Sequence, residues 1–180
     1  MTIALSGRRI DAEHSKTSRF PLENVEFVRQ ALRDLFIESR ADTLVSSAAC
    51  GADLLALEEA GKLGMRRRIV LPFAPEQFLQ SSVMDRPGDW RGAFERAIAG
   101  SDVVVLESGS YAGASQAILD EAAKLGDVTA VVVWDGKSRG NGDVTESFGV
   151  EAGRRGFPVI PISTLQNPSQ RAISGVSSPN

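Results

Sequence analysis

Short apolar runs alternate with amphipathic stretches along most of the chain. Residues 3–5, 43–45, 68–71, 103–106, 128–134 and 159–162 are rich in β-branched side chains and read as buried strands. Between them the apolar spacing changes to three and four. A helix is expected over 21–40, where Val25, Val28, Leu32 and Leu35 form one stripe and Pro21 suits the first turn. A second covers 52–63 and stops at Gly64. A third starts from Asp89 as N-cap and buries Trp90, Phe94, Ala97 and Ile98. The last two cover 114–125, ending at Gly126, and 143–155, followed by Gly156. Strands alternating with helices of this length imply βαβ units. The expected fold is a single α/β domain over 1–165, with a doubly wound, mostly parallel sheet. Residues 166–180, rich in Ser, Pro, Asn and Gln, are expected to form a flexible C-terminal tail.

Ligands of open α/β sheets sit beyond the carboxyl ends of the strands, so the loops after strands carry the candidate chemistry. The first loop reads Gly7-Arg8-Arg9-Ile10-Asp11. Its glycine permits a tight turn, and arginine forks phosphate through two hydrogen bonds. Asp11 either accepts from a ribose hydroxyl, holds an arginine or caps the turn locally. The second reads Cys50-Gly51-Ala52-Asp53 and opens a helix, where free backbone N–H groups of Gly51 and Ala52 suit an anion. Asp53 there either caps the helix or accepts from a sugar or base. Cys50 reads as a small buried residue, because no neighbouring histidine activates it.

The third loop begins Pro72-Phe73, and Phe73 and Phe78 either stack a base or belong to the core. The fourth, after the fifth strand, carries Gly136, Lys137, Arg139, Gly140 and Gly142 before a helix. That composition suits a phosphate cradle, although it lacks the ending of a P-loop. Gly140, Gly142, Asp143 and Thr145 are the expected ligand-binding residues of this loop. Asp143 also has the position of an N-cap, and its charge stands where a phosphate would dock. Glu146 is the candidate catalytic carboxylate if the protein is an enzyme, with Asp135 or Asp53 orienting the sugar.

The strings Ser6-Gly7-Arg8-Arg9-Ile10-Asp11, Gly51-Ala52-Asp53 and Leu71-Pro72-Phe73, in this order, resemble the SLOG superfamily over residues 3–162. That group joins the DNA-processing Smf/DprA domain, the LOG phosphoribohydrolases and small nucleotide-sensing domains. Its sensor type typically has a Gly-His-Arg-like first loop, and this chain has Arg8 in the place of the histidine. Gly142-Asp143 stands where relatives often carry Gly-Thr. The resemblance implies a Rossmann-like domain that senses a nucleotide or nucleotide-derived small molecule, either NAD/ADP-ribose-like or a nucleoside monophosphate. It also implies a homodimer and an effector domain or protein as partner. The alternative it implies is a LOG-like or deoxyribosyltransferase-like enzyme acting on a nucleoside N-glycosidic bond. Such chemistry needs a carboxylate beside the sugar, and Glu146 follows Gly142 at the transferase spacing.

Composition narrows this further. The chain has 180 residues, 42% of them hydrophobic, enough for one core without disulfide or metal staples. With 23 acidic against 20 basic side chains, DNA binding driven by overall charge is not expected. One cysteine and one histidine exclude an internal disulfide and a Cys/His zinc site, so neither metal nor cofactor is expected. No apolar run reaches the roughly 18 residues of a membrane span, and the first residues lack a signal-peptide pattern. A cytoplasmic location is the expectation.

Overall fold

A computed structural model describes residues 1–107 and 109–166. Six strands, β1 (Thr2–Gly7), β2 (Thr43–Ser46), β3 (Arg66–Leu71), β4 (Asp102–Val105), β5 (Val128–Trp134) and β6 (Val159–Ser163), form one sheet. Every pairing is parallel, in the order β4-β3-β2-β1-β5-β6. The helices between them are α1 (Val25–Glu38), α2 (Ala52–Lys62), a short α3 (Pro75–Phe78), α4 (Arg91–Ala99), α5 (Tyr111–Ala123) and α6 (Val144–Arg154). The expected doubly wound, Rossmann-like α/β architecture is the one found.

Successive strand residues point to opposite faces, so the continuous apolar runs feed two cores. Ile3, Leu5, Leu44, Ile69, Leu71, Val131 and Val133 pack toward α1, α2 and α4. Ala4, Val45, Val70, Ala130 and Val132 pack toward α5 and α6. A buried Glu59 joins α1 to α2: Arg29 and Arg33 reach it at 3.1 and 3.3 Å, and Lys62 at 2.6 Å.

Three helix starts differ from the sequence expectation, each for a local reason. Pro21 precedes a short 3-10 turn (Leu22–Asn24), and the α-helix begins only at Val25. Trp90, not Asp89, stands at the N-cap of α4; its indole N–H donates to the Pro87 carbonyl at 2.8 Å. α5 begins at Tyr111 because the Ser110 hydroxyl accepts from the Gly113 N–H, a cap four residues before the apolar stripe starts. Of the expected tail, residues 167–180 lie outside the described residues. Among the described residues no helix is long and apolar enough to cross a membrane.

The strand order places the functional edge. From β1 the chain builds outward through β2 and β3 to β4, then returns along α5 to lay β5 on the other side of β1. The order reverses between β1 and β5. At their carboxyl ends the flanking connections diverge and leave a crevice.

Candidate functional site

A cleft of about 460 Å³ occupies that crevice. The end of β1 and the first turns of α5 supply apolar lining through Leu5, Ala114 and Ile118, with Phe78 and Tyr111 as an aromatic wall. Phe73 backs this wall, its ring edge-on to Tyr111 at 5.6 Å, while the Tyr111 and Ser82 hydroxyls lie 2.8 Å apart. Gly7, Arg8, Arg9, Asp53, Gly142, Asp143 and Thr145, all expected from the sequence, line the cleft together.

Gly7 is where backbone and helix come closest. A Cβ there would stand 2.3 Å from the Ala52 Cβ and 2.9 Å from the Val133 Cβ. Only glycine lets β1 end between α2 and β5. The next residue, Arg8, is therefore fixed, and its side chain runs buried toward the loop after β5. Four hydrogen bonds hold its guanidinium: to Asp135 Oδ1 at 3.0 Å, to Asp143 Oδ1 and Oδ2 at 2.7 and 2.8 Å, and to the Lys137 carbonyl at 2.7 Å. It also lies 5.7 Å from the centre of the Trp134 ring. Burial alone would raise the Asp143 carboxyl, but bonds from Arg8 and from the Arg139 and Glu146 N–H groups outweigh it and hold it at about 2. Asp143 also caps α6 by accepting from the Thr145 N–H. An internal carboxylate thus occupies the helix N-terminus, where the dipole favours an anion.

At the start of α2 the backbone is likewise engaged. Gly51 has φ +99°, and a Cβ there would meet the Arg8 carbonyl at 2.8 Å. The Ala52 N–H donates to that carbonyl at 3.1 Å, so Gly51 and Ala52 clasp the first loop and do not line the cleft. Cys50 is fully buried beside them, and burial pushes its thiol up to about 12.

Asp53, in the first turn of the same helix, differs from every other carboxylate here. Its Oδ2 accepts from the Ala49 N–H at 3.2 Å, while its Oδ1 is buried without a hydrogen-bond partner. Burial raises this carboxyl to about 7, against smaller opposing effects from the Ala49 N–H, Arg9 and the Gly7 backbone. Ser115 on α5 also lines the cleft, and its hydroxyl is a second buried atom without a partner. Buried polar atoms are ordinarily paired, so two orphans in one cleft are exceptional.

The remaining expected residues lie away from the cleft lining. Asp11 accepts from the Arg19 and Phe20 N–H groups at 3.0–3.2 Å and holds the 11–20 loop. Pro72 lies against Gly109. Gly140 turns the loop after β5 with φ +92°. Glu146 accepts a hydrogen bond from the Ser138 hydroxyl outside the cleft. Tyr111, Ser115 and Arg139 were not singled out from sequence. Tyr111 and Ser115 lie in the first turns of the helix that follows β4, on the same strand-end rim, but the sequence reading takes no candidate from that connection. Arg139 was legible only as one basic residue of a Gly-rich loop. Among the described residues, no group of three or more His, Cys, Asp or Glu side chains is placed to hold a metal ion.

No protein-family model matches this chain, and no curated protein matches it. Among solved structures, the chain is similar to the X-ray structure of DNA processing protein A (DprA) from Streptococcus pneumoniae. Identity is 14% and the TM-score 0.33, with 98% of this chain covered. The match spans 62% of that protein's chain, less than two thirds of its length.

Proposed function

We propose that this chain binds a nucleotide or nucleotide-derived small molecule in the β1–β5 cleft, as a sensor domain. The observation that carries this reading is the pair of orphan atoms, Asp53 Oδ1 and Ser115 Oγ, beside an aromatic wall. Leaving a buried polar group unpaired costs about 1–3 kcal/mol, which a ligand presenting hydroxyl donors recovers. A ribose supplies such donors, and a base provides a flat face for Tyr111 and Phe78. Nucleoside monophosphates and NAD/ADP-ribose-like compounds share both features. A homodimer, an effector partner and a cytoplasmic location belong to the same proposal.

The enzymatic reading turns on the same residue. Transfer or hydrolysis at an N-glycosidic bond needs a carboxylate at the sugar. Asp143 has both oxygens bonded to Arg8 and Glu146 lies outside the cleft lining, which leaves Asp53. Calorimetric titration with adenosine, AMP, ADP-ribose and NAD, with chromatography for released base, separates the readings. Binding without base release, weakened about tenfold or more by Asp53→Ala, is the result expected. Failure of all four to bind overturns the proposal. Base release abolished by Asp53→Asn assigns the cleft to catalysis instead.

A further inference from the structure

Beside the cleft lies a second depression of about 270 Å³, and its lining carries five cations: Arg9, Lys16, Arg19, Arg86 and Arg139. Arg9 and Arg139 line both spaces, so the two adjoin through these side chains. The whole chain has a net charge of −3, so this concentration is local.

Its positive charge is only partly answered from within. Arg9 pairs with Asp85 at 2.8 Å, and Arg19 with Asp135 at 2.8 Å, a carboxylate already shared with Arg8. The Arg86 Nε stands 3.6 Å from Asp85, too far for a hydrogen bond, and is buried without a partner. Lys16 and Arg139 have no carboxylate in ion-pair range among the described residues. Asp11 also lines this groove, but its oxygens accept from the backbone of Arg19 and Phe20. Desolvation, followed by the charge of Arg8, lowers the pKa of Arg139, as expected of a cation short of anions.

The helix starts at this edge offer a phosphate little. Asp143 already occupies the N-terminus of α6, and the Ala52 N–H of α2 donates to the Arg8 carbonyl. An anion reaching beyond the cleft is met by side chains, and those side chains are in the groove.

We infer that this groove is an oligophosphate subsite. It receives the second and later phosphates of a ligand whose nucleoside occupies the cleft. The ligand class is then nucleoside diphosphates and pyrophosphate-bridged compounds, in preference to nucleosides and monophosphates. The nucleoside half of this inference rests on the function proposed above, whereas the groove itself does not. Arginine forks match phosphate oxygens in pairs, and clustered cations repel one another until an anion joins them.

Titrating the full chain with adenosine, AMP, ADP and inorganic pyrophosphate tests the subsite. Wild type is compared with Lys16→Ala/Arg86→Ala, whose two side chains line the groove and not the cleft. ADP should bind about tenfold or more tightly than AMP. The double variant should lose that difference and keep its AMP affinity, and pyrophosphate should bind wild type alone. Lys16→Glu, a change on an exposed side chain, should shrink the ADP preference on its own. The subsite is overturned if ADP binds no better than AMP, or if the variants leave the ratio unchanged. If adenosine and AMP both fail to bind, the nucleoside half of this inference falls and pyrophosphate decides the groove separately. Pyrophosphate binding that the double variant abolishes upholds it; no binding, or equal binding to both proteins, sinks it.

Discussion

Arg8 and Asp143, separated by 135 positions in the chain, form a two-pronged ion pair with N···O distances of 2.7 and 2.8 Å. The pair ties the end of β1 to the first turn of α6 across the point where the strand order reverses. Both side chains are about 1% exposed, so the charges depend on each other and on Asp135.

Removing Arg8 should therefore be costly. Arg8→Ala leaves the buried Asp143 without its cation and Asp135 with Arg19 alone, and should destabilise the fold by about 3–5 kcal/mol in urea unfolding at neutral pH. Arg8→Lys should rescue this only partly, because an ammonium cannot form the paired bonds. A loss under about 1 kcal/mol for Arg8→Ala would mean the pair contributes no more than a surface ion pair.

Asp53 and Asp143 should give stability opposite dependences on pH. The Asp53 carboxyl is raised to about 7, so in the native state it keeps a proton that the unfolded chain has already lost. Its effect is a fall in stability as pH rises from about 4 through about 7, level above that. At about 1.4 kcal/mol per pKa unit the fall is at most about 4 kcal/mol. Asp143 is held at about 2, below its unfolded value. Its contribution is complete above about pH 4 and is lost as pH falls through about 2. Denaturant unfolding near pH 5 and near pH 8 should show a drop in wild type that Asp53→Asn removes. An equal drop in both proteins would place the titration elsewhere.

Gly7→Ala should destabilise by about 1–3 kcal/mol through overpacking, with the Ala52 Cβ as the nearest obstacle. Adding Ala52→Gly should return part of the loss, since the Val133 contact at 2.9 Å remains. Strictly additive effects in this double-mutant cycle would show that the two side-chain positions do not meet.

Cys50 should resist thiol reagents in the folded protein. It is fully buried and its thiol is raised to about 12, so almost no thiolate forms at neutral pH. Reaction with an aromatic disulfide should follow global unfolding, with a rate set by denaturant. Rapid, stoichiometric labelling of native protein would contradict the burial.

Much of the fold was legible along the chain, because its signals are local. β-branched runs mark strands whose two faces are both covered, and apolar spacing of three and four marks the helices packed on them. The boundaries missed were those where side-chain chemistry overrides apolar pattern. The first turn of α5, Tyr111-Ala112-Gly113, presents no apolar stripe and is set by the Ser110 hydroxyl. Trp90 caps α4 through its backbone while its indole bonds the preceding loop.

The rim of the site was legible too, for a topological reason. Parallel strands bring every following loop to one edge, so Gly7, Asp53 and Asp143 had to be neighbours of a sort before any contact was known. Which of their atoms remain available was not encoded in any local pattern. Arg8 was expected to meet a ligand and is instead held by Asp135 and Asp143. Asp53 read either as a helix cap or as an acceptor for a sugar or base, and one of its oxygens is left buried and unpaired. Ser115 and Arg139 complete the cleft from segments remote in sequence. Secondary structure follows from neighbours along the chain, whereas hydrogen-bond satisfaction depends on groups that packing brings together from more than a hundred residues away. The chain's local chemistry therefore determined the sheet, the helices and the edge that carries the cleft. Tertiary packing decided which charges are consumed inside the protein and which remain to meet a ligand.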